Sequence, residues 1–181
     1  MIFKRLFIND VVEITPIIHQ DNRGSFNESY RKDLLENFIE YKIDFCQENE
    51  SNSSKGVFRG LHFQIPPFEQ TKLIKVISGS IVDVIVDLRK GSSSYLDNIQ
   101  VELSDQNQKQ LLIPKGFAHG FLVTSNSAKI SYKVDSFYNK DSERVINALD
   151  PKLNLNLDLE RMMFSENDRS SPFIDTINIK I

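Results

Sequence analysis

The stretch Ile81–Leu88 constrains the fold of this chain more than any other. Its even positions, Val82, Val84, Val86 and Leu88, are all aliphatic, while Asp83, Ile85 and Asp87 take the other face. Alternation with a period of two is the mark of a strand with one face on a core. Gly79, between Val76-Ile77 and Ile81-Val82, predicts a tight hairpin turn leading into it. Leu111–Pro114, Gly120–Thr124 and Ala128–Val134 continue the pattern of short strands separated by turn residues. Helix is scarce. Asp33–Glu40 sets Leu34, Leu35, Phe38 and Ile39 at helical spacing, and Leu157–Met163 has room for a turn or two. Many short strands predict a mainly all-β chain, a sandwich or barrel with the jelly roll as the natural candidate.

Composition narrows the class. With 181 residues, 40% of them hydrophobic, the chain suits one compact domain over 1–181 with a real core. No segment reads as a linker, and no internal repeat is found. The balance of 22 Lys+Arg against 25 Asp+Glu, a net charge of −3, argues against a nucleic-acid binder. A single cysteine makes no internal disulfide, so nothing requires an oxidising compartment. No apolar run reaches membrane-spanning length, and Met1-Ile2-Phe3-Lys4-Arg5 leads straight into mixed sequence. A soluble cytoplasmic protein is expected. Three histidines exclude a His-rich metal cluster, and restrict any catalytic imidazole to His19, His62 or His119.

Strand phase turns this pattern towards function. In Ala128–Val134, Ala128, Ile130, Tyr132 and Val134 share the apolar face, which turns Tyr132 inward. If Gly56–Gln64 is a strand, Gly60, His62 and Gln64 lie on one face and Arg59, Leu61 and Phe63 on the other. A His and a Gln beside two glycines leave room for a ligand; a core histidine bonded to Gln or backbone is the plainer alternative. Pro114-Lys115-Gly116-Phe117-Ala118-His119 sits between two predicted strands and resembles the second motif of the cupin superfamily of jelly-roll barrels. In metal-binding cupins that histidine is a ligand, joined by an earlier His-x-His and a Glu. Here the earlier segment reads His62-Phe63-Gln64, and Gln is a poor ligand for a transition metal. No metal is expected; a metal-dependent reading would have to draw on His62, Glu69 and His119.

Three segments together, Arg59–Gln64, Asp83–Ser92 and Ile113–Phe121, closely resemble the dTDP-4-dehydrorhamnose 3,5-epimerase family. Asp21–Gly24, Glu28–Tyr30, Gln47–Asn49, Tyr132-Lys133 and the Ser165–Pro172 tail match in order, so the resemblance runs from about Val11 to Pro172. It implies a cupin jelly roll and a cofactor-independent isomerase acting on a dTDP-linked 4-keto-6-deoxy sugar. Hydrogens on carbons 3 and 5 flank the 4-keto group, so removing either gives an enolate. Inversion needs a base, an acid and a stabiliser of the enolate oxygen.

By resemblance His62 is the base, Asp168 the carboxylate that orients it, Tyr132 the proton donor and Lys72 the cation near the keto oxygen. Arg23 and Arg59 match phosphate or nucleotide contacts, and Glu28, Gln47 and Asn49 polar contacts. Tyr138 matches a tyrosine stacked on thymine, with His119 and Glu143 lining the same pocket. The resemblance also implies a homodimer in which Arg23 and Glu28 come from the neighbouring subunit. On the residues alone, plainer readings stay open. Ser165-x-x-Asp168 fits a helix capping box, Tyr132 a core aromatic, and Lys72 with Lys75 a solvated strand face.

The chain also departs from the family pattern. It has Leu112 and the run Leu153–Leu159 where tryptophan is frequent, Ser25-Phe26 where paired aromatics are usual, and Asn167 where many members have lysine. These departures bear on the nucleotide sugar more than on the epimerase chemistry. A single-carbon epimerase and a non-catalytic sugar-binding cupin are the alternatives.

Overall fold

The alternation in Ile81–Leu88 is satisfied on both faces. The structure, a computed structural model, describes residues 1–177. A six-stranded sheet runs in the order β1 (Ile2–Arg5), β2 (Val12–Thr15), β10 (Gln110–Ile113), β7 (Lys72–Ser78), β12 (Ser127–Val134), β5 (Gln47–Ser54). Facing it, a five-stranded sheet runs β13 (Glu143–Val145), β6 (Phe58–Gln64), β11 (Phe117–Val123), β8 (Ser80–Asp87), β9 (Asn98–Ser104). Pairing within both sheets is antiparallel. The result is the jelly-roll barrel expected of the sequence.

Ile81 and Ile85 point between the sheets, where they pack with Ile74, Leu111, Ile113 and Ile130. Val84, Val86 and Leu88 point the other way, under a C-terminal cover carrying Ile146, Leu153, Leu159 and Ile174. The cover uses short turns rather than long helices: 3-10 turns at Pro151–Leu153 and Leu159–Arg161, and α2 (Glu166–Arg169). A third apolar layer lies outside the six-stranded sheet. There α1 (Lys32–Ile39) sets Leu35 and Ile39 on Val12, Ile14, Leu73 and Leu112. Eight residues are too few for a stable isolated helix, so this contact holds α1 in place. Leu112, fully buried beneath it, fills the position where a larger tryptophan was the expected family residue.

Gly79 corrects one expectation. It does not close a hairpin: β7 pairs with β10 and β12, whereas β8 pairs with β11 and β9. The glycine turns the chain from one sheet to the other at φ +81°, and a Cβ there would lie 2.1 Å from the Ser127 carbonyl oxygen. A corner and a hairpin leave the same trace in sequence, alternation on either side of a glycine, so only the pairing separates them.

Beyond β8 the chain is stapled by charge. Asp87, fully buried, accepts from the Arg89 backbone N–H at 2.9 Å, from its Nε at 2.9 Å and Nη2 at 2.7 Å, and from Ser94 Oγ at 2.7 Å. The Arg89 guanidinium stacks over Phe117 at 4.4 Å and reaches Asp10 at 2.7 Å. Burial alone would raise the Asp87 carboxyl, but these donors outweigh it and hold its pKa at about 2. Among the described residues no helix is long and apolar enough to cross a membrane.

Candidate active site

On the side of the edge strands β5 and β13, the two sheets enclose a cavity of ≈ 430 Å³. One wall is polar because β5, Gln47–Ser54, contains no apolar residue at all, while Phe63 and Phe121 add apolar surface opposite. Gln47, Asn49 and Ser51, two apart, all face the cavity. From the neighbouring β12 comes Tyr132 and from β7 Lys72; from the opposite sheet come Arg59, His62, His119 and Glu143.

The phase of β6 differs from simple alternation. His119 of β11 pairs with His62, and Phe121 pairs with Arg59, so residues 60 and 61 of β6 face the single residue 120. This bulge carries one extra residue and reverses the phase across it. Arg59, His62 and Gln64 therefore all line the cavity, while Phe58 and Leu61 face the C-terminal cover and Phe63, packed into that cover, also borders the cavity. The expected grouping of Arg59 with Leu61 and Phe63 is thereby corrected. Glycine permits the bulge: Gly60 sits at φ +135°, and a Cβ on it would fall 2.4 Å from the Gly120 Cα.

His62 Nε2 lies 2.7 Å from Asp168 Oδ1, and the other ring nitrogen makes no hydrogen bond among the described residues. Asp168 is 4% exposed. Burial pushes its carboxyl up, but hydrogen bonds from His62, the Gly60 backbone and Ser165 prevail and hold it below the usual carboxylate value. The capping box forms only in its Ser165 half, and the Asp168 carboxylate follows the pairing reading. Ser165 Oγ accepts from the Asp168 backbone N–H at 3.1 Å, and the carboxylate is thereby left for the imidazole.

His119 repeats the arrangement on the next strand, with Nε2 2.7 Å from Asp83 Oδ1. Asp83 is fully buried, and its second carboxylate oxygen has no partner among the described residues. Burial lowers the His119 pKa despite Asp83, which keeps that ring neutral near pH 7. Sequence reasoning did not single out Asp83, although an aspartate at an inward position of an aliphatic strand was a visible signal.

Lys72, 7% exposed, donates from Nζ to the His62 carbonyl at 3.2 Å. Burial pulls its pKa down to about 8, against the attraction of Asp83 and Glu143. Lys75 faces the other side of the sheet, beside Tyr30 and Glu48, so the two lysines do not share a solvated face. Burial raises the Tyr132 phenol above its ordinary value and Glu143 adds to this, with Arg59 and Asn49 opposing. Tyr138 stands at the rim, its hydroxyl donating to Glu143 Oε2 at 2.9 Å and its backbone N–H to Gln47 Oε1 at 3.0 Å.

Two expected site residues lie elsewhere. Arg23 projects from the hairpin β3 (Ile18–Asp21) and β4 (Gly24–Asn27), its side chain 86% exposed and paired with Asp21. Glu28 follows the hairpin and pairs with Arg31. Neither reaches the cavity of its own chain. Among the described residues no group of three or more His, Cys, Asp or Glu side chains is arranged to hold a metal. Glu69 does not line the cavity, and the Gln64 amide is engaged by backbone groups.

A jelly-roll barrel with a carboxylate-bound imidazole on one sheet, and a half-buried phenol and a buried ammonium on the other, defines a cupin-type epimerase, an isomerase that works on carbon acids. The profile of the dTDP-4-dehydrorhamnose 3,5-epimerase family matches residues 5–176. The dTDP-4-dehydrorhamnose 3,5-epimerase of Shigella flexneri is 40% identical over 169 residues, 93% of each chain. A solved dTDP-6-deoxy-D-glucose-3,5-epimerase from Legionella pneumophila, in complex with dTDP-4-keto-L-rhamnose, superposes with a TM-score of 0.93 at 38% identity, covering 97% of this chain and 94% of that one. A 3'-monoepimerase from Streptomyces bikiniensis, bound to dTDP-quinovose, gives 0.88 at 28% identity over 94% and 87%. The chain belongs to the dTDP-4-dehydrorhamnose 3,5-epimerase family.

Proposed function

We propose that this chain inverts carbons 3 and 5 of dTDP-4-dehydro-6-deoxyglucose to give dTDP-4-dehydrorhamnose, with His62, Tyr132, Lys72 and Asp168 as its chemical groups. The observation that carries the reading is the division of these groups between two sheets. The imidazole held by Asp168 comes from β6, the phenol from β12 and the ammonium from β7. The unpaired ring nitrogen of His62 takes the proton from carbon 3 or 5, and the C–H electron pair moves into the 4-keto oxygen as an enolate. Lys72 stabilises that charge. Tyr132 returns a proton to the opposite face of the ring and is reprotonated from solvent, while His62 gives up to solvent the proton it took. Each positioned proton-transfer group is worth roughly 10²–10⁴-fold.

Arg59 serves the diphosphate, whose geometry suits a guanidinium, and Tyr138 the thymine, with Gln47, Asn49, His119 and Glu143 completing the pocket. Arg23 and Glu28, outside their own cavity on an exposed hairpin, serve a neighbouring subunit in a homodimer. Exposed Ile18 and Phe26 on that hairpin support this reading. A solution mass of one chain would overturn it.

The test is turnover of dTDP-4-dehydro-6-deoxyglucose in heavy water. Deuterium at both ring carbons, undiminished by a chelator, is expected; label at one carbon reassigns the chain as a mono-epimerase. His62→Phe is expected to stop exchange at both carbons. Tyr132→Phe should impair inversion while leaving some wash-out. Undiminished turnover by His62→Phe would sink the mechanism.

A further inference from the structure

Gln64 occupies an inward position of β6, is 5% exposed, and touches neither His62 nor Asp168 through its amide. Both ends of that amide are committed to backbone on two separate loops. Nε2 donates to the Phe68 carbonyl at 2.5 Å and to the Phe137 carbonyl at 3.2 Å, and Oε1 accepts from the Asn139 backbone N–H at 2.6 Å. The residues it holds, 137 and 139, flank Tyr138. A carbonyl and an N–H two residues apart are the pair that a neighbouring β-strand would engage. The side-chain amide thus plays the part of a strand where no strand continues.

A second glutamine closes the same gap. Gln70 Nε2 donates to the Ser136 carbonyl at 2.9 Å, so the two glutamines add side-chain ties to those already made between the segment after β6 and the segment after β12 by Ile65 with Ser142 and by Thr71 with Asp135. Both glutamines line the cavity. The joined segments carry the aromatic rim, with Phe68, Phe137 and Tyr138 37%, 64% and 52% exposed. Such exposed loops owe little to buried apolar contact, so directed hydrogen bonds largely set their shape.

We propose that Gln64, seconded by Gln70, is a positioning residue that sets the Tyr138 rim for the nucleoside half of the substrate. The inference rests on the reading that Tyr138 receives the nucleoside base. With the clasp intact the rim is pre-shaped, and the ordering cost of two loops is not charged against binding. With it cut, Tyr138 keeps its bonds to Gln47 and Glu143 but loses the ties on either side of it, and part of the ordering falls to the ligand. The reacting end of the cavity, built on β6, β7 and β12, keeps its geometry.

The experiment compares wild type, Gln64→Met and Gln70→Ala. Gln64→Met keeps the side-chain volume and removes all three hydrogen bonds; Gln70→Ala cuts only the second tie and guards against a folding failure of the first. Calorimetric binding of dTDP and steady-state kinetics on the dTDP-4-keto sugar are measured at one temperature, below both thermal unfolding transitions. For Gln64→Met the expected results are a Kd for dTDP and a KM each raised about tenfold, equivalent to about 1.4 kcal/mol. Its kcat should fall less than about threefold. Gln70→Ala should move the same quantities in the same direction by a smaller factor.

Equal loss in kcat and kcat/KM with unchanged dTDP affinity would overturn the inference, because it would move the glutamine's influence to the reacting carbons. Unchanged constants in both variants would overturn it too. A wild-type protein that binds dTDP without turning over the sugar would instead break the functional reading and leave the clasp standing.

Discussion

His62 and His119 are register partners across β6 and β11, yet each turns its Nε2 to a different carboxylate 2.7 Å away, His62 to Asp168 and His119 to Asp83. Their surroundings divide their roles. His119 is buried and its pKa lowered, whereas the His62 side chain is 37% exposed towards the cavity. Of the two, His62 combines the wider access to the cavity with a carboxylate that fixes its tautomer.

Asp168→Asn preserves the size of the partner while removing its charge. The asparagine can offer its NH₂ to the ring, which favours the wrong tautomer, and the imidazolium formed after proton abstraction loses its counter-charge. A drop in kcat of about 10²-fold or more is expected, with KM little changed. Exchange of the carbon 3 and 5 hydrogens, followed by NMR in heavy water, measures it. A variant within threefold of wild type would reduce Asp168 to a packing residue.

Lys72 predicts the alkaline side of the pH profile. Its pKa of about 8 means that the ammonium is mostly present at pH 7 and is lost as pH rises through 8. Because the enolate needs the charged form, kcat should decline above about pH 8 with the slope of a single proton. Lys72→Met should remove that limb and lower kcat by about 10²–10³-fold at neutral pH. Persistence of the same limb in Lys72→Met would assign it to another group.

Asp87 governs stability in acid. Its carboxyl titrates at about 2 in the fold, against about 3.9 in an unfolded chain. A depressed carboxylate contributes stability that is fully present above the unfolded value and lost as pH falls through the folded one. The native state should lose about 2–3 kcal/mol from this group between about pH 5 and 2. Asp87→Ala, which leaves Arg89 with Asp10 alone, should cost about 2–3 kcal/mol at pH 7, the contribution of the depressed carboxylate. Urea unfolding at several pH values checks both, and a wild-type slope retained in Asp87→Ala would refute the assignment.

Period-two alternation made much of this legible in the sequence. It gave the inward turn of Tyr132 and the strand Ile81–Leu88, because those strands are regular and buried. It failed on β6, where the bulge at Gly60 changes phase without changing composition, and at Gly79, where a corner imitates a hairpin. It also passed over β5, an edge strand with no apolar residue whose polar faces meet the cavity and the solvent rather than a core. Asp168 came from resemblance alone, since its contact with His62 spans 106 residues and no local pattern encodes it. The Gln64 clasp was invisible for a related reason: its partners are backbone atoms, which every sequence supplies.

The bulge on β6 also makes ligand recognition a matter of counting. Losing the bulge while keeping both intervening residues, as a side chain at Gly60 would force, would leave every cavity-lining side chain in the sequence, yet it would restore plain alternation. Either the guanidinium or the imidazole would then turn to the wrong side of the sheet. The spacing from Arg59 to His62 therefore carries meaning only together with the glycine that permits the bulge. A homologue that kept both side chains and their spacing but lost the bulge would have the parts of the pocket without the pocket.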